Sequence, residues 1–265
     1  MPSARLAAYT RDGHSPTVLF LHGVFMDHAL WDHVLELRSD LRAVVLDMPG
    51  HGASDPAGLA SLGAAMNAVT STLTAEDAGP VVIVGHSWGG MVGLRLAVAR
   101  RDLVRGLVLS KTPLVRNHGL TRIGFHAQRA LLGAGFPPHA YGRMAARSLV
   151  GADYLSAHPG VANQMAARMA AMGRSRIRQT LTSVLLAPHD AVDLLGGLRI
   201  PWRAVGGAED YAIAGGVADA IRLEGDLVVA PGGHTSPLEA PQVIADALDA
   251  VLQRSIGHPR EHGHF

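Results

Sequence analysis

Val81-Val82-Ile83-Val84-Gly85-His86-Ser87-Trp88-Gly89-Gly90 runs without a break into a helical pattern from Met91 to Arg101. The β-branched run predicts a buried strand, and the change to helix within a few residues leaves room only for a sharp turn. That turn carries G-x-S-x-G, the spacing of a nucleophile raised on a strand-to-helix elbow. Gly85 and Gly89 flank Ser87 where the backbone is too tight for side chains. The Ser87 hydroxyl is thereby lifted clear of the sheet, beside backbone N–H groups and the positive end of the helix dipole. A glycine-rich turn whose serine merely caps the helix is the plainer alternative in a chain with 31 glycines. The strand before Ser87 and the helix after it favour the nucleophile.

A serine hydroxyl needs a base, and the base needs an orienting carboxylate. Composition narrows the search. The 265 residues, 48% of them hydrophobic, suffice for one large core with one substantial insertion. A net charge of +1 with 17% charged residues gives no pointer to nucleic acid or an anionic membrane surface. The absence of cysteine excludes thiol catalysis, cysteine-based metal sites and disulfides. Lys111 is the single lysine, so Schiff-base chemistry has no other seat. No stretch is apolar enough to span a bilayer and none at the N-terminus reads as a leader, so a soluble, cytoplasmic protein is expected. No feature of the sequence sets an oligomeric state.

Along the chain, residues 3–12 suggest a short edge hairpin turning at Asp12-Gly13. Thr17 to Leu21 and Arg42 to Leu46 are apolar runs typical of strands buried on both faces. A helix pattern covers Ala29 to Leu37, and another covers Leu59 to Ala75. His22 reads as a histidine holding its loop by hydrogen bonds. Asp47, His51 and Asp55 lie in a Gly- and Pro-rich turn, where short polar side chains tie the loop to itself more readily than they bind a metal. Gly106 to Ser110 is the next strand. Strands alternating with helices in this way predict a mostly parallel sheet covered on both faces, with functional groups outside its carboxyl edge.

The alternation stops after Lys111-Thr112-Pro113. Residues 114–188 show no clear strand and read as a helical insertion over the strand ends. The first part of the core is then 1–113 and the second 189–256, with a flexible tail at 257–265. Met165, Met169 and Met172 recur at helical spacing, more a packed face than a binding surface, although methionine suits an adaptable apolar pocket. Arg168, Arg174, Arg176 and Arg178 read as a solvated face, with an anion clamp as the lesser alternative. The sheet resumes at Ile200 to Val205, followed by Glu209 and Asp210, either of which is placed to orient a base. The last strand, Leu227 to Ala230, leads to His234, and a closing helix spans Pro241 to Gln253. His258, His262 and His264 in the tail lack the fixed scaffold that a metal site requires.

The order Ser87, acid, His234, together with Leu21-His22-Gly23, Asp47 to Ser54, Gly85 to Gly90, Gly207 to Asp210 and Gly233-His234, resembles the α/β-hydrolase family over nearly the full chain. Within it the esterase, lactonase and carbon–carbon bond hydrolase branch, with an inserted helical cap, looks nearest. The resemblance implies a Ser87–His234–Asp210 triad, Asp210 being favoured over Glu209 by its placement before Tyr211. Some relatives carry the acid after the strand that follows the nucleophile helix, where this chain has Ser110-Lys111-Thr112-Pro113. The resemblance also implies an oxyanion hole from the N–H groups of Val24 and Trp88, and a pocket near Phe25, Tyr211, Met165 and Met169. It implies acyl transfer without a metal or organic cofactor. The implied substrate is a small, fairly apolar carboxylic ester or lactone. Alternatives within the fold are cleavage of a carbon–carbon bond, cofactor-free haloperoxidase or perhydrolase chemistry, and a triad-bearing small-molecule receptor.

Overall fold

The computed structural model describes residues 6–56, 59, 61–187, 190–207, 218, 221–222 and 225–256. Its strands are β1 (Ala8–Arg11), β2 (His14–Leu21), β3 (Leu41–Leu46), β4 (Val81–His86), β5 (Val104–Ser110), β6 (Trp202–Gly207) and β7 (Leu227–Ala230). They form one sheet in the order β1-β3-β2-β4-β5-β6-β7. Every pairing from β3 to β7 is parallel, and only β1 runs antiparallel, at the edge against β3.

The apolar runs become the central strands because both faces of the sheet are covered. On β5, Gly106 lies against Val251 while its neighbour Leu107 lies against Gly93. Adjacent residues of a strand point to opposite faces, so these two contacts mark the two helical layers. Helix α3 (Trp88–Ala99) packs on β4 and β5 with α2 (Leu62–Ala75) beside it. The closing helix α8 (Pro241–Ile256) packs on β5 and β6, with α1 (Asp32–Leu37) beside it. All six residues of β4 are buried. Each fully buried aliphatic side chain contributes about 1.5–3 kcal/mol, so this strand is a principal anchor of the core.

The N-terminus does not form the hairpin that Asp12-Gly13 suggested. β1 pairs with β3, and β3 lies between it and β2. The physical reason is burial. Pairing β2 with β3 and β4 hides six consecutive residues of β2, whereas the four residues of β1 stay half-buried or exposed. A local turn signal is outweighed by that longer apolar pairing.

Between β5 and β6 the chain forms α4 (Gly119–Gly133), α5 (Pro138–Leu149), α6 (Ala152–Ala157) and α7 (Gly160–Thr180). Among the described residues of this insertion there is no strand. Helix α5 packs lengthwise against α7. Met165, Met169 and Met172 are all buried on one face of α7, which kinks at Gly173 (φ 72°). Among the described residues no helix is long and apolar enough to cross a membrane.

Candidate active site

Ser87 follows the last residue of β4 and caps α3 with φ 50° and ψ −113°. Such a backbone costs about 1–3 kcal/mol for a residue with a side chain, and persists only where the surroundings enforce it. Here the enforcement is local. The Ser87 N–H donates to the Ser110 carbonyl at 2.8 Å, and its own carbonyl accepts from the Met91 N–H at 3.1 Å. A Cβ on Gly85 would sit 2.6 Å from the Gly90 Cα, and one on Gly89 would sit 2.0 Å from the Leu21 carbonyl oxygen. Backbone atoms cannot yield, so both positions require glycine.

His234 lies on the loop after β7. Its Nε2 is 2.9 Å from Ser87 Oγ, although the two residues are 147 positions apart. Both side chains are buried. The loop that follows β2 passes close to the serine, its Gly23 packing against Ser87 Cβ. The Val24 and Trp88 amides, the expected oxyanion donors, belong to the loop after β2 and to the first residue of α3. The next residue, Phe25, holds φ 65° and meets Tyr141 of α5 edge-on at 5.7 Å between ring centroids.

Met165 and Met169 lie on the buried face of α7, and the cleft beside them is lined by neither Ser87 nor His234. Met169 is packed in the core, while Met165 lines a cleft of about 350 Å³ between α7 and the loop after β2, with Met26, Leu30, Val161, Arg168 and Leu238. Arg168 is not simply solvated. Its Nε donates to Asp27 Oδ2 at 2.5 Å, joining the insertion to that loop. Arg174 donates to the Gly135 carbonyl. Glu209, Asp210 and Tyr211 lie outside the described residues, as does the 257–265 tail.

The histidines near the strand ends are buried. The His22 Nδ1 is 2.7 Å from the Gly23 carbonyl, and its Nε2 accepts the Met48 N–H at 2.8 Å. Asp47 accepts from the N–H groups of His28 and Ala53 and from the Tyr9 hydroxyl, which leaves its carboxylate occupied in tying the loop together. Burial raises the Asp47 pKa, but those N–H donors and the ring of His28 pull it below the ordinary carboxylate value. Burial, reinforced by His22, pushes His51 down to about 3. Burial, and then the charges of His234 and Lys111, hold His86 well below the usual imidazole value. Its ring lies 5.1 Å from that of His234. Among the described residues no group of three or more His, Asp or Glu side chains is arranged to hold a metal ion.

Two site-adjacent residues escaped the reading of the sequence as site residues. Lys111, next after β5, is fully buried with φ 43°, and its ammonium donates to the Gly233 carbonyl. Glu239 accepts from the N–H groups of Gly151, Gly233 and Thr235. Lys111 carried a signal, as the single lysine of the chain set at a strand end; Glu239 carried none beyond its spacing of five residues from His234.

A doubly covered parallel sheet, a strained serine on the elbow between strand and helix, and a histidine delivered from beyond the last strand together define the α/β-hydrolase class. The chain belongs to the alpha/beta hydrolase family, whose model matches residues 18–247. A lipase of Mycobacterium tuberculosis is 38% identical over 92 residues, covering 35% of each chain. The pimeloyl-[acyl-carrier protein] methyl ester esterase of Nitrosomonas europaea is 37% identical over 103 residues, covering 38% of this chain and 39% of that protein. The matched stretch thus spans well under half of these relatives' own length. Among solved structures, the enol-lactonase of Burkholderia xenovorans superposes with a TM-score of 0.82 at 18% identity, over 95% of this chain and 98% of the other. At that identity the likeness speaks for the fold.

Proposed function

We propose that this chain is a serine hydrolase that cleaves a small, fairly apolar carboxylic ester or lactone through an acyl-enzyme. The observation that carries the reading is the 2.9 Å approach of His234 Nε2 to Ser87 Oγ on a strained, buried elbow. In this mechanism His234 accepts the hydroxyl proton as Ser87 Oγ attacks the carbonyl carbon. The amides of Val24 and Trp88 receive the negative charge that develops on the carbonyl oxygen. His234 then protonates the departing alkoxide. Water, deprotonated by the same imidazole, releases the acid and regenerates Ser87. Asp210, three positions beyond the end of β6, is the proposed partner that holds the imidazole tautomer.

The helical insertion is read as a cap over the strand ends, and the neighbourhood of Phe25, Tyr211, Met165 and Met169 as the source of substrate selection. Relatives named as a lipase and a methyl ester esterase support ester chemistry. Cleavage of a carbon–carbon bond in an anionic substrate is the alternative that would give the cap arginines a purpose, and of these Arg168 is paired with Asp27.

The test is turnover of a p-nitrophenyl ester series by wild type and Ser87→Ala, with a fluorophosphonate probe mapped by mass spectrometry. The expected result is probe on Ser87 and turnover lowered by about 10³-fold or more in Ser87→Ala. An unlabelled Ser87 would overturn the reading. A labelled Ser87 without ester turnover would transfer it to another bond type.

A further inference from the structure

The loop that presents His234 has no regular hydrogen-bonded scaffold of its own, yet it must hold an imidazole within 2.9 Å of Ser87. Two charged side chains grip it. The Lys111 ammonium donates to the Gly233 carbonyl and lies 3.4 Å from that of Gly232. The Glu239 carboxylate accepts the Gly233 N–H at 2.8 Å and the Thr235 N–H at 3.0 Å. Gly233, the residue before His234, is thus held at its carbonyl by a cation and at its amide by an anion.

Lys111 is an expensive residue where it stands. Its side chain is fully buried, which is unfavourable for an ammonium unless polar groups surround it. Its backbone sits at φ 43°, a left-handed conformation that an ordinary side chain disfavours. The backbone is pinned there by a 2.7 Å bond from the Lys111 N–H to the Val205 carbonyl of β6. A buried ammonium and a left-handed backbone meet in one residue, directly beyond the Ser110 that anchors Ser87, and the ammonium is directed at the carbonyls that precede His234.

We propose that Lys111 is a positioning residue which, with Glu239 as its counterpart, clamps the 232–235 backbone so that His234 stays in register with Ser87. The clamp reaches the insertion as well. Glu239 also accepts the Gly151 N–H at 2.9 Å, and the His234 N–H donates to the Leu149 carbonyl at 2.7 Å. The Lys111 jaw therefore acts on the loop from the sheet, and the Glu239 jaw links the loop to the insertion.

The role assigned to Lys111 rests on the hydrolase reading, so its test carries one readout tied to turnover and one independent of it. Lys111→Met keeps the length of the side chain and removes the donor. It is expected to lower kcat by about 10-fold to 10²-fold with KM within threefold of wild type, the signature of a displaced reacting group. Backbone hydrogen exchange of a peptide covering 231–236 is expected to quicken at least tenfold, while peptides covering 81–95 keep their protection. Glu239→Gln is expected to do the same to a smaller extent and additionally to quicken exchange around Gly151. The double variant should fall short of the product of the single losses, because both act on one loop.

A folded Lys111→Met enzyme with wild-type kcat and wild-type exchange at 231–236 overturns the clamp. If that variant does not fold, wild-type kcat and exchange in Glu239→Gln overturn it instead. Faster loop exchange in the variants, beside a wild type that fluorophosphonate leaves unlabelled, retains the clamp and defeats the hydrolase reading.

Discussion

The serine and the histidine of the site are held in place by different means. The Ser87 backbone is fixed by main-chain contacts, through the Ser110 carbonyl, the Met91 amide and the close approach of Gly89 to β2. His234 is fixed by side chains and by the insertion, through Lys111, Glu239 and the Leu149 carbonyl. A main-chain mount inherits the rigidity of the sheet. A side-chain mount depends on partners far away in sequence, 122 residues from Lys111 to Gly233 and 88 from Glu239 to Gly151. The serine side should therefore fail by unfolding, and the histidine side by losing activity while still folded.

Matched glycine substitutions probe this contrast most severely. In Gly89→Ala the new methyl group would meet the Leu21 carbonyl oxygen at 2.0 Å, inside the sheet. The expected loss is about 3–5 kcal/mol of stability, or no soluble protein. In Gly233→Ala it would meet the Gly151 nitrogen at 2.5 Å, in the connection between α5 and α6. That contact joins two connections and does not lie between the sheet and its helix, so the expected loss is smaller, about 1–2 kcal/mol, with kcat down by about 10-fold or more. Urea denaturation and ester turnover on both proteins decide it. Equal loss of stability in the two variants would erase the distinction between the mounts.

The same contrast separates what the sequence disclosed from what it withheld. The elbow was legible because its determinants occupy ten consecutive residues, and the buried strands because each is a single apolar run. His234 was legible as a Gly-His pair beyond the last such run. The pairing of β1 was misread, since the turn signal at Asp12-Gly13 is local and the burial that outweighs it is not. Arg168 read as solvated because helical periodicity places a residue on a face without naming what stands opposite. The Lys111–Glu239 grip joins residues from both halves of the core to the insertion, and no local pattern encodes such a meeting.

Acid should act first on the serine side, which houses three buried imidazoles, His22, His51 and His86, all shifted downward chiefly by burial. For each, the folded value lies below the unfolded one near 6.5, so the unfolded chain takes up a proton that the folded chain refuses. Their stabilising contribution is complete above about pH 6.5 and is lost as pH falls toward the folded values, about 3 for His51. At about 1.4 kcal/mol per unit, His51 alone should remove about 2–3 kcal/mol between pH 6.5 and pH 4.5. The Asp47 carboxyl, also lowered, adds its loss only further into acid. Urea midpoints at pH 7.5, 5.5 and 4.5 should drop progressively, and His51→Gln should flatten the decline. An unchanged slope in that variant would remove His51 from the account.

The smallest effect is expected where the insertion touches the loop after β2. Asp27 and Arg168 are partly exposed, their side chains 19% and 28% accessible, so solvent screens the pair and its loss should cost less than about 1 kcal/mol. Asp27 has a second duty, accepting the Ala29 N–H at 3.2 Å to cap the helical turn His28–Trp31. Asp27→Asn keeps that acceptor and removes only the charge, which isolates the ion pair. If the pair sets the width of the neighbouring cleft, KM for longer acyl chains should change severalfold while kcat and the unfolding midpoint stay near wild type. Arg168→Met should reproduce the change, and combining the two substitutions should add little. A fall in kcat instead would mean that the pair steadies Val24 and its amide. The insertion would then support both mounts, and the division between a sheet-held serine and a side-chain-held histidine would have to be redrawn.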